Sequence, residues 1–301
     1  MSTTVTQTVT VDPTIKEQFL SADLDDMEQL RESAKKVNFK PQIVWRNVIL
    51  FIALHAGALV GLYQFAFTAK WLTCVWCVVC WVISGVGITA GAHRLWSHKS
   101  YKAKLPLKII LVAMNCVSFQ NDIIEWSRDH RCHHKWTDTD ADPHNVNRGF
   151  FFSHMGWLLT KKHPKIKVQF NSSVPVWGWG ENAWIAFYTA ALFRYAFTLH
   201  ATWFINSAAH TFGYRPYDVN ISPAESVWTT VTAFGEGGHN YHHTFPQDYR
   251  TSEMSAMFNF TKLFIDFFAK IGWAYDLRTM DDASIERQMG KQLGQLKLKG
   301  H

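Results

Sequence analysis

The sequence predicts an all-α fold: integral membrane helices, a hairpin plus a further hydrophobic segment, with a cytosolic helical cap carrying a histidine-rich dimetal site. Three observations predict it. Two adjacent apolar blocks have membrane-spanning length, basic residues flank the pair on both sides, and histidines gather at helical spacing just outside the apolar blocks. The 301 residues are 48% hydrophobic and include 14 Trp and 22 Phe, yet mean hydropathy is -0.10 because polar and basic stretches separate the apolar ones. The net charge of +6 suits nucleic acid, anionic lipid or an anionic substrate, but no nucleic-acid module accompanies it, so nucleic acid is set aside as a partner.

Residues 1–38 are polar and lack an apolar core, which reads as a disordered polar cytosolic tail and not a cleavable signal. Residues 39–278 form the main membrane domain, and 279–301 a charged C-terminal tail. Residues 43–67 make the first span and 71–92 the second, joined by a short link containing Lys70. Lys40 and Arg46 precede the hairpin; Arg94, Lys99, Lys102, Lys104 and Lys108 follow it, so both flanks are expected in the cytosol. Cys74, Cys77 and Cys80 form a C-x2-C-x2-C run inside the second block, where a polar metal site is costly and helix packing is expected.

Residues 105–119 are apolar but interrupted by Lys108 and shorter than a span, which predicts an interfacial or core helix. Residues 120–171 are polar and rich in histidine, with turn chemistry in DTDADPHN. A third apolar block covers 183–209, its tail carrying Asn206 and His210, and helical spacing returns over 252–275.

Nine of the 15 histidines fall into four tight groups: His93 and His98 in HRLWSH, His130, His133 and His134 in HRCHH, His210 in NSAAH, and His239, His242 and His243 in HNYHH. Residues three or four apart share a helix face, so H-x2-HH turns two or three imidazoles the same way. Imidazole binds Zn, Fe, Cu and Ni alike, but nine ligands exceed one tetrahedral zinc, whereas two metals of five and four use them all. Two irons that use O2 suit such a site beside lipid. Glu125, Asp129, Asp138, Asp140, Asp142 and Glu236 accompany the clusters and could accept the second N–H of a metal-bound histidine; for the DTDAD run a solvated turn is the alternative. His55, His163, His200 and His301 read as ordinary polar residues, His144 as a turn or supporting residue, and His154 as intermediate. No G-x-S-x-G, P-loop or G-x-G-x-x-G competes with this site.

HRLWSH, HRCHH and GEGGHNYHHTFP resemble the three histidine boxes of the membrane acyl-CoA desaturases, of the stearoyl-CoA, delta-9 and insect-like type. GITAGAHRLWSH, FQNDIIEWSRDHR, DADPHN, RGFFFSHMGWLL, NSAAH and HTFPQDY extend the resemblance over residues 39–278. It implies one iron held by His93, His98, His130, His134 and His242, and a second held by His133, His210, His239 and His243, with Asn206 reaching it through a water. It implies acyl-CoA contacts from Asn47, Asn121, Arg128, Asp129, Lys161, Lys162 and Trp203, with Lys161 standing where relatives have Arg. The implied reaction inserts a cis double bond into a saturated fatty acyl-CoA with O2, at delta-9 or at delta-11 or another position. The chain has no HPGG haem signature, so the implied electron donor is a separate cytochrome b5. The implied location is the endoplasmic reticulum membrane, multi-pass, with the histidine boxes cytosolic. A histidine-box lipid hydroxylase, or an inactive shortened desaturase acting as a membrane partner, is the alternative.

The pattern departs from the family after residue 165. Relatives have two hairpins, whereas here HPKIKVQFNSSV alone joins His163 to Val174, which reads as an internal deletion. One crossing after residue 171 would put His210 and HNYHH across the bilayer from His93 and His130, ~30 Å away. A segment 183–209 that packs without crossing would keep the site intact. The sequons at Asn220 and Asn259 distinguish the two sides.

Overall fold

The computed structural model describes residues 42–160, 173–253 and 259–298. The N-terminal tail, Lys161, Lys162 and the position after residue 165 where a deletion is expected lie outside these residues. Helix α1 (Trp45–Phe67) and helix α2 (Trp71–Val86), which runs on as a π-helix over Gly87–Ser97, form the hairpin. Among the described residues these are the two helices long and apolar enough to cross a membrane. The outward face of α1 leaves Ile49, Ile52, Leu59 and Leu62 exposed, as a helix facing lipid does. Cys74, Cys77 and Cys80 are free thiols on α2, the last two buried against neighbouring helices.

Helix α3 (Leu105–Ser118) and helix α4 (Ile123–Trp136) follow, bent by 80° against one another. Asp122 caps α4 by accepting the Glu125 N–H, which fixes where the HRCHH helix begins. The short helix α5 (Phe150–His154) leads to Thr160, which bridges to Ile43 beside the start of α1. Helix α6 (Ser173–Trp179) opens the next described stretch at the other end of the hairpin. There the Glu181 carboxylate accepts the Lys70 backbone N–H at 2.8 Å and the Thr73 hydroxyl at 2.6 Å, at the N-terminus of α2.

From that end a continuous helical run returns along α1: α7 (Ala183–Ala186), a π-helical stretch Phe187–Phe193, and α8 (Arg194–Thr211). The run starts beside the hairpin turn and ends at His210. For this reason the histidine clusters are not separated by a bilayer, as one crossing counted from the metal side would require. Close approach is licensed by small residues on α1: a Cβ on Gly61 would lie 2.0 Å from the Tyr188 carbonyl oxygen, and one on Gly57 2.4 Å from Leu192. Gly61→Ala should therefore destabilise the detergent-solubilised protein by roughly 1–3 kcal/mol, read as a lower thermal midpoint.

The chain closes with α9 (Val227–Thr232), α10 (His239–Thr244), α11 (Phe260–Lys270) and α12 (Asp282–Leu298). Strand β1 (Lys102–Ala103) pairs antiparallel with β2 (Ala274–Tyr275), Lys102 opposite Tyr275. Tyr101, Leu107, Leu111 and Ile265 pack into one buried core that fixes α3 and α11 beneath the end of α2.

Candidate metal centre and substrate cavity

Four segments bring nine imidazoles together. The π-helical end of α2 supplies His93 and His98: the His98 N–H bonds the His93 carbonyl at 3.1 Å, an i to i+5 link, so the wide winding puts residues five apart on one side. An α-helix would have splayed that spacing. Helix α4 supplies His130, His133 and His134, α8 supplies His210, and α10 supplies His239, His242 and His243.

The nine sort into two groups that could each hold a metal ion, one of His93, His98, His130, His134 and His242, the other of His133, His210, His239 and His243. Within each group the candidate ligand atoms lie within 4.8 Å of one another. Helix α4 gives its i, i+4 pair His130 and His134 to the first group and His133 to the second. Helix α10 does the reverse, giving His239 and His243 to the second and His242 to the first. The groups abut where the His134 and His243 rings stack at 4.0 Å.

The donor chemistry fits a cation in each. The Glu236 carboxylate accepts the Nδ1–H of His93 at 3.0 Å, which leaves the Nε2 lone pair of that ring facing the Nε2 of His242 at 2.8 Å. Asp142 takes the Nδ1–H of His133 at 2.8 Å, and the Nε2 of His133 is buried without a partner. His210 donates from Nδ1 to the Ser222 hydroxyl at 2.7 Å, which in turn donates to Asp138 at 2.6 Å, so the His210 Nε2 lone pair faces the Nε2 of His239 at 2.9 Å. Carboxylates thus set the tautomers and aim lone pairs at shared points, which repel unless a cation lies between them. Burial, reinforced by neighbouring imidazoles, holds His98, His130, His134, His239, His242 and His243 well below the ordinary histidine range, so they are neutral and able to ligate at pH 7. Burial alone would raise the Glu236 carboxyl, but Arg94 and His93 hold it at about 2. Asp138 is likewise held at about 2 against burial by His210 and Ser222.

The loop before α10 is locked into place by close backbone approach. Gly235 has φ +105, and a Cβ there would sit 2.3 Å from Asn259 Oδ1. The buried Glu225 carboxyl accepts the Tyr241 N–H at 2.8 Å; burial outweighs such bonds and pushes it up to about 7. A raised carboxyl costs nothing below its ordinary 4.5, and its destabilising effect grows as pH rises towards about 7. Relative to the parent, Glu225→Gln should gain up to roughly 3 kcal/mol above pH ~7 and nothing below pH ~4.5, measured as thermal midpoints of chelator-treated protein.

An apolar cavity of about 550 Å³ opens beside both groups, with His93 and His130 of the first and His239 of the second in its wall. Asn121, Asp129, Trp203 and Asn206 line it too. Asn47 lies near the start of α1, donating its amide to the Leu158 carbonyl at 2.8 Å, and Arg128 is exposed beside Glu125 and Asp129. His144 packs its ring on Trp157 at 4.3 Å, and its backbone N–H bonds Asp142. Asp138 and Asp142 do not form a merely solvated turn, since each holds a histidine through the bonds above. Arg94 and Ser222 are supporting residues that the spacing of histidines did not reveal.

Two histidine groups that could each hold a metal ion, set beside an apolar cavity and two helices of membrane-spanning length, define the class: a membrane protein with a candidate two-metal centre. The chain is 52% identical to the Delta(9)-fatty-acid desaturase fat-5 of Caenorhabditis elegans, covering 94% of this chain and 95% of that one. It is 47% identical to the Acyl-CoA Delta-9 desaturase of Acheta domesticus (93% and 86%) and 48% identical to human Stearoyl-CoA desaturase (82% and 77%). The chain therefore belongs to the acyl-CoA desaturases, membrane oxidoreductases acting on fatty acyl-CoA. No family model matches it. The fat-5 alignment runs over 315 positions against a chain of 301, so the nematode protein carries residues with no counterpart here.

Proposed function

We propose that this protein is a delta-9 acyl-CoA desaturase of the endoplasmic reticulum membrane that holds two iron ions, one in each histidine group, uses O2 and takes electrons from cytochrome b5. The observation that carries the reading is the cavity wall shared by His93, His130 and His239, since an acyl chain lying in that cavity would pass beside both groups at once. When bound, the metal pair supplies the activation of O2 needed to take two hydrogens from an unactivated CH2–CH2 unit. The chain's own residues bind and orient. Residues 39–278 form the desaturase domain. The histidine rings would hold the metals, and Asn206, in the cavity wall, would reach the second through a water. Asn121, Asp129 and Trp203 contact the substrate inside, and Asn47, Arg128, Lys161 and Lys162 contact its CoA end. The apolar lining excludes water and fixes by depth which carbons lie beside the groups.

Relatives at about this similarity include the Acyl-CoA Delta(11) desaturase of Spodoptera littoralis, at 46% identity, so position is what an experiment must read. Expression in a yeast lacking its own desaturase, with fatty acids profiled and double bonds located, should give delta-9 products. A hydroxylated product would indicate a lipid hydroxylase. No product together with no iron in the purified protein would indicate an inactive membrane partner. For orientation, Asn220 is the informative sequon, because Asn259 is 1% exposed and caps α11. Asn220 should carry no glycan in microsomes if the boxes are cytosolic.

A further inference from the structure

Outside the two metal groups, three histidines form a line across α1, α8 and α5, the first two of which wall the cavity. His55 of α1 bonds the Phe51 carbonyl through Nδ1 at 2.6 Å and meets the Nε2 of His200 through its own Nε2 at 3.0 Å. The Nδ1 of His200, on α8, meets the Nε2 of His154, on α5, at 2.9 Å, and the Nδ1 of His154 meets the Ser207 hydroxyl at 2.9 Å. With all three rings neutral the line holds four protons, three on imidazoles and one on Ser207, for five links, since the Ser207 hydroxyl also donates to the Trp203 carbonyl.

This is neither a third metal site nor a proton conduit. In the metal groups several rings turn one atom toward a common point, as when the Nε2 of His242 meets those of both His93 and His134. Here the middle ring uses its two nitrogens on two different neighbours, so no three nitrogens converge. One end closes on the Phe51 carbonyl, and the Ser207 hydroxyl at the other lies 2.9 Å from the Trp203 carbonyl. Both ends stop at helix carbonyls, and neither hands a proton on.

What the line touches is Trp203. The His200 ring meets that indole edge-on at 5.2 Å, His154 does so at 5.7 Å, and Phe51 stacks on it at 5.8 Å. Trp203 is 3% exposed and lies in the cavity wall with Phe51 and Asn206. We propose that the His55–His200–His154–Ser207 line is a positioning device that ties α1, α5 and α8 together behind Trp203 and so sets the face of the cavity against which the acyl chain lies. His200 is its central positioning residue. The proposal rests on the desaturase reading for its substrate.

The test uses full-length, metal-loaded protein in detergent with radiolabelled stearoyl-CoA as probe. His200→Phe keeps an aromatic edge on Trp203 but breaks two links. It should weaken equilibrium stearoyl-CoA binding about tenfold and raise KM by the same factor, with kcat and metal content within about twofold of the parent. His55→Phe should do likewise. If the line acts as a unit, the double variant binds no more than about twofold worse than either single. Unchanged binding in His200→Phe, or effects of the two substitutions that multiply to about a hundredfold, would overturn the proposal. If His200→Phe does not accumulate, Ser207→Ala removes one hydroxyl only. Binding weakened several-fold with metal retained supports the proposal, and unchanged binding refutes it. Binding is read without turnover, so a parent that binds the probe but makes no double bond counts against the desaturase reading and leaves this result standing.

Discussion

Replacing His242 by alanine is expected to cut desaturation by at least about 100-fold and to remove the metal of the five-histidine group while leaving that of the other. The reason is geometric. His242 is 1% exposed, and its Nε2 stands 2.8 Å from that of His93 and 3.0 Å from that of His134, so one ring joins the end of α2 to α4. Its helix also carries His239 and His243, which belong to the other group, so loss of the ring does not require loss of α10. Metal analysis of the purified variant should show about half the parent content, alongside lipid profiling of expressing cells. A variant with full metal content and normal product would mean that His242 is not a ligand and that the lone pairs facing it are satisfied in another way.

Much of this site is legible in the sequence because helical spacing and metal chemistry are both local. H-x2-HH on α4 and α10 reads directly as imidazoles sharing a face. The apolar length of residues 43–67 and 71–92 reads as a hairpin, and the C-x2-C-x2-C run reads as helix packing. The rest depends on distances between segments far apart in the chain. Nothing in HRLWSH signals the π winding that makes a spacing of five productive. The DTDAD run looks like solvent-facing turn chemistry until Asp142 is seen buried against His133 and Asp138 against Ser222. His55, His154 and His200 are scattered singly, so their alignment appears only once α1, α5 and α8 are packed. The end of the hairpin against which residues 173–182 pack is fixed by the contacts of Glu181 with Lys70 and Thr73, a tertiary fact that counting apolar blocks does not contain.

Arg94→Leu is expected to destabilise the protein by about 3–5 kcal/mol and to lower metal occupancy of the first group along with stability. Arg94 is fully buried, and its Nη2 donates to Glu236 at 2.8 Å while its Nη1 donates to the Tyr249 carbonyl at 2.7 Å. Removing the guanidinium strands a carboxylate that is 3% exposed; Glu236 is then driven to take up a proton and is a weaker acceptor for the Nδ1–H of His93. Glu236→Gln probes the carboxylate from the other side. Its amide has one acceptor oxygen, so it can accept from His93 or from Arg94 but not from both, and it leaves Arg94 buried without a counter-charge; it should lower metal affinity by about 10–100-fold and lose stability much as Arg94→Leu does. Thermal midpoints with and without chelator read stability, and metal titration reads affinity. If Arg94→Leu lost stability but bound metal as the parent does, the pair would be serving the fold alone. If Glu236→Gln matched the parent in metal affinity, the carboxylate charge would not be what orients His93.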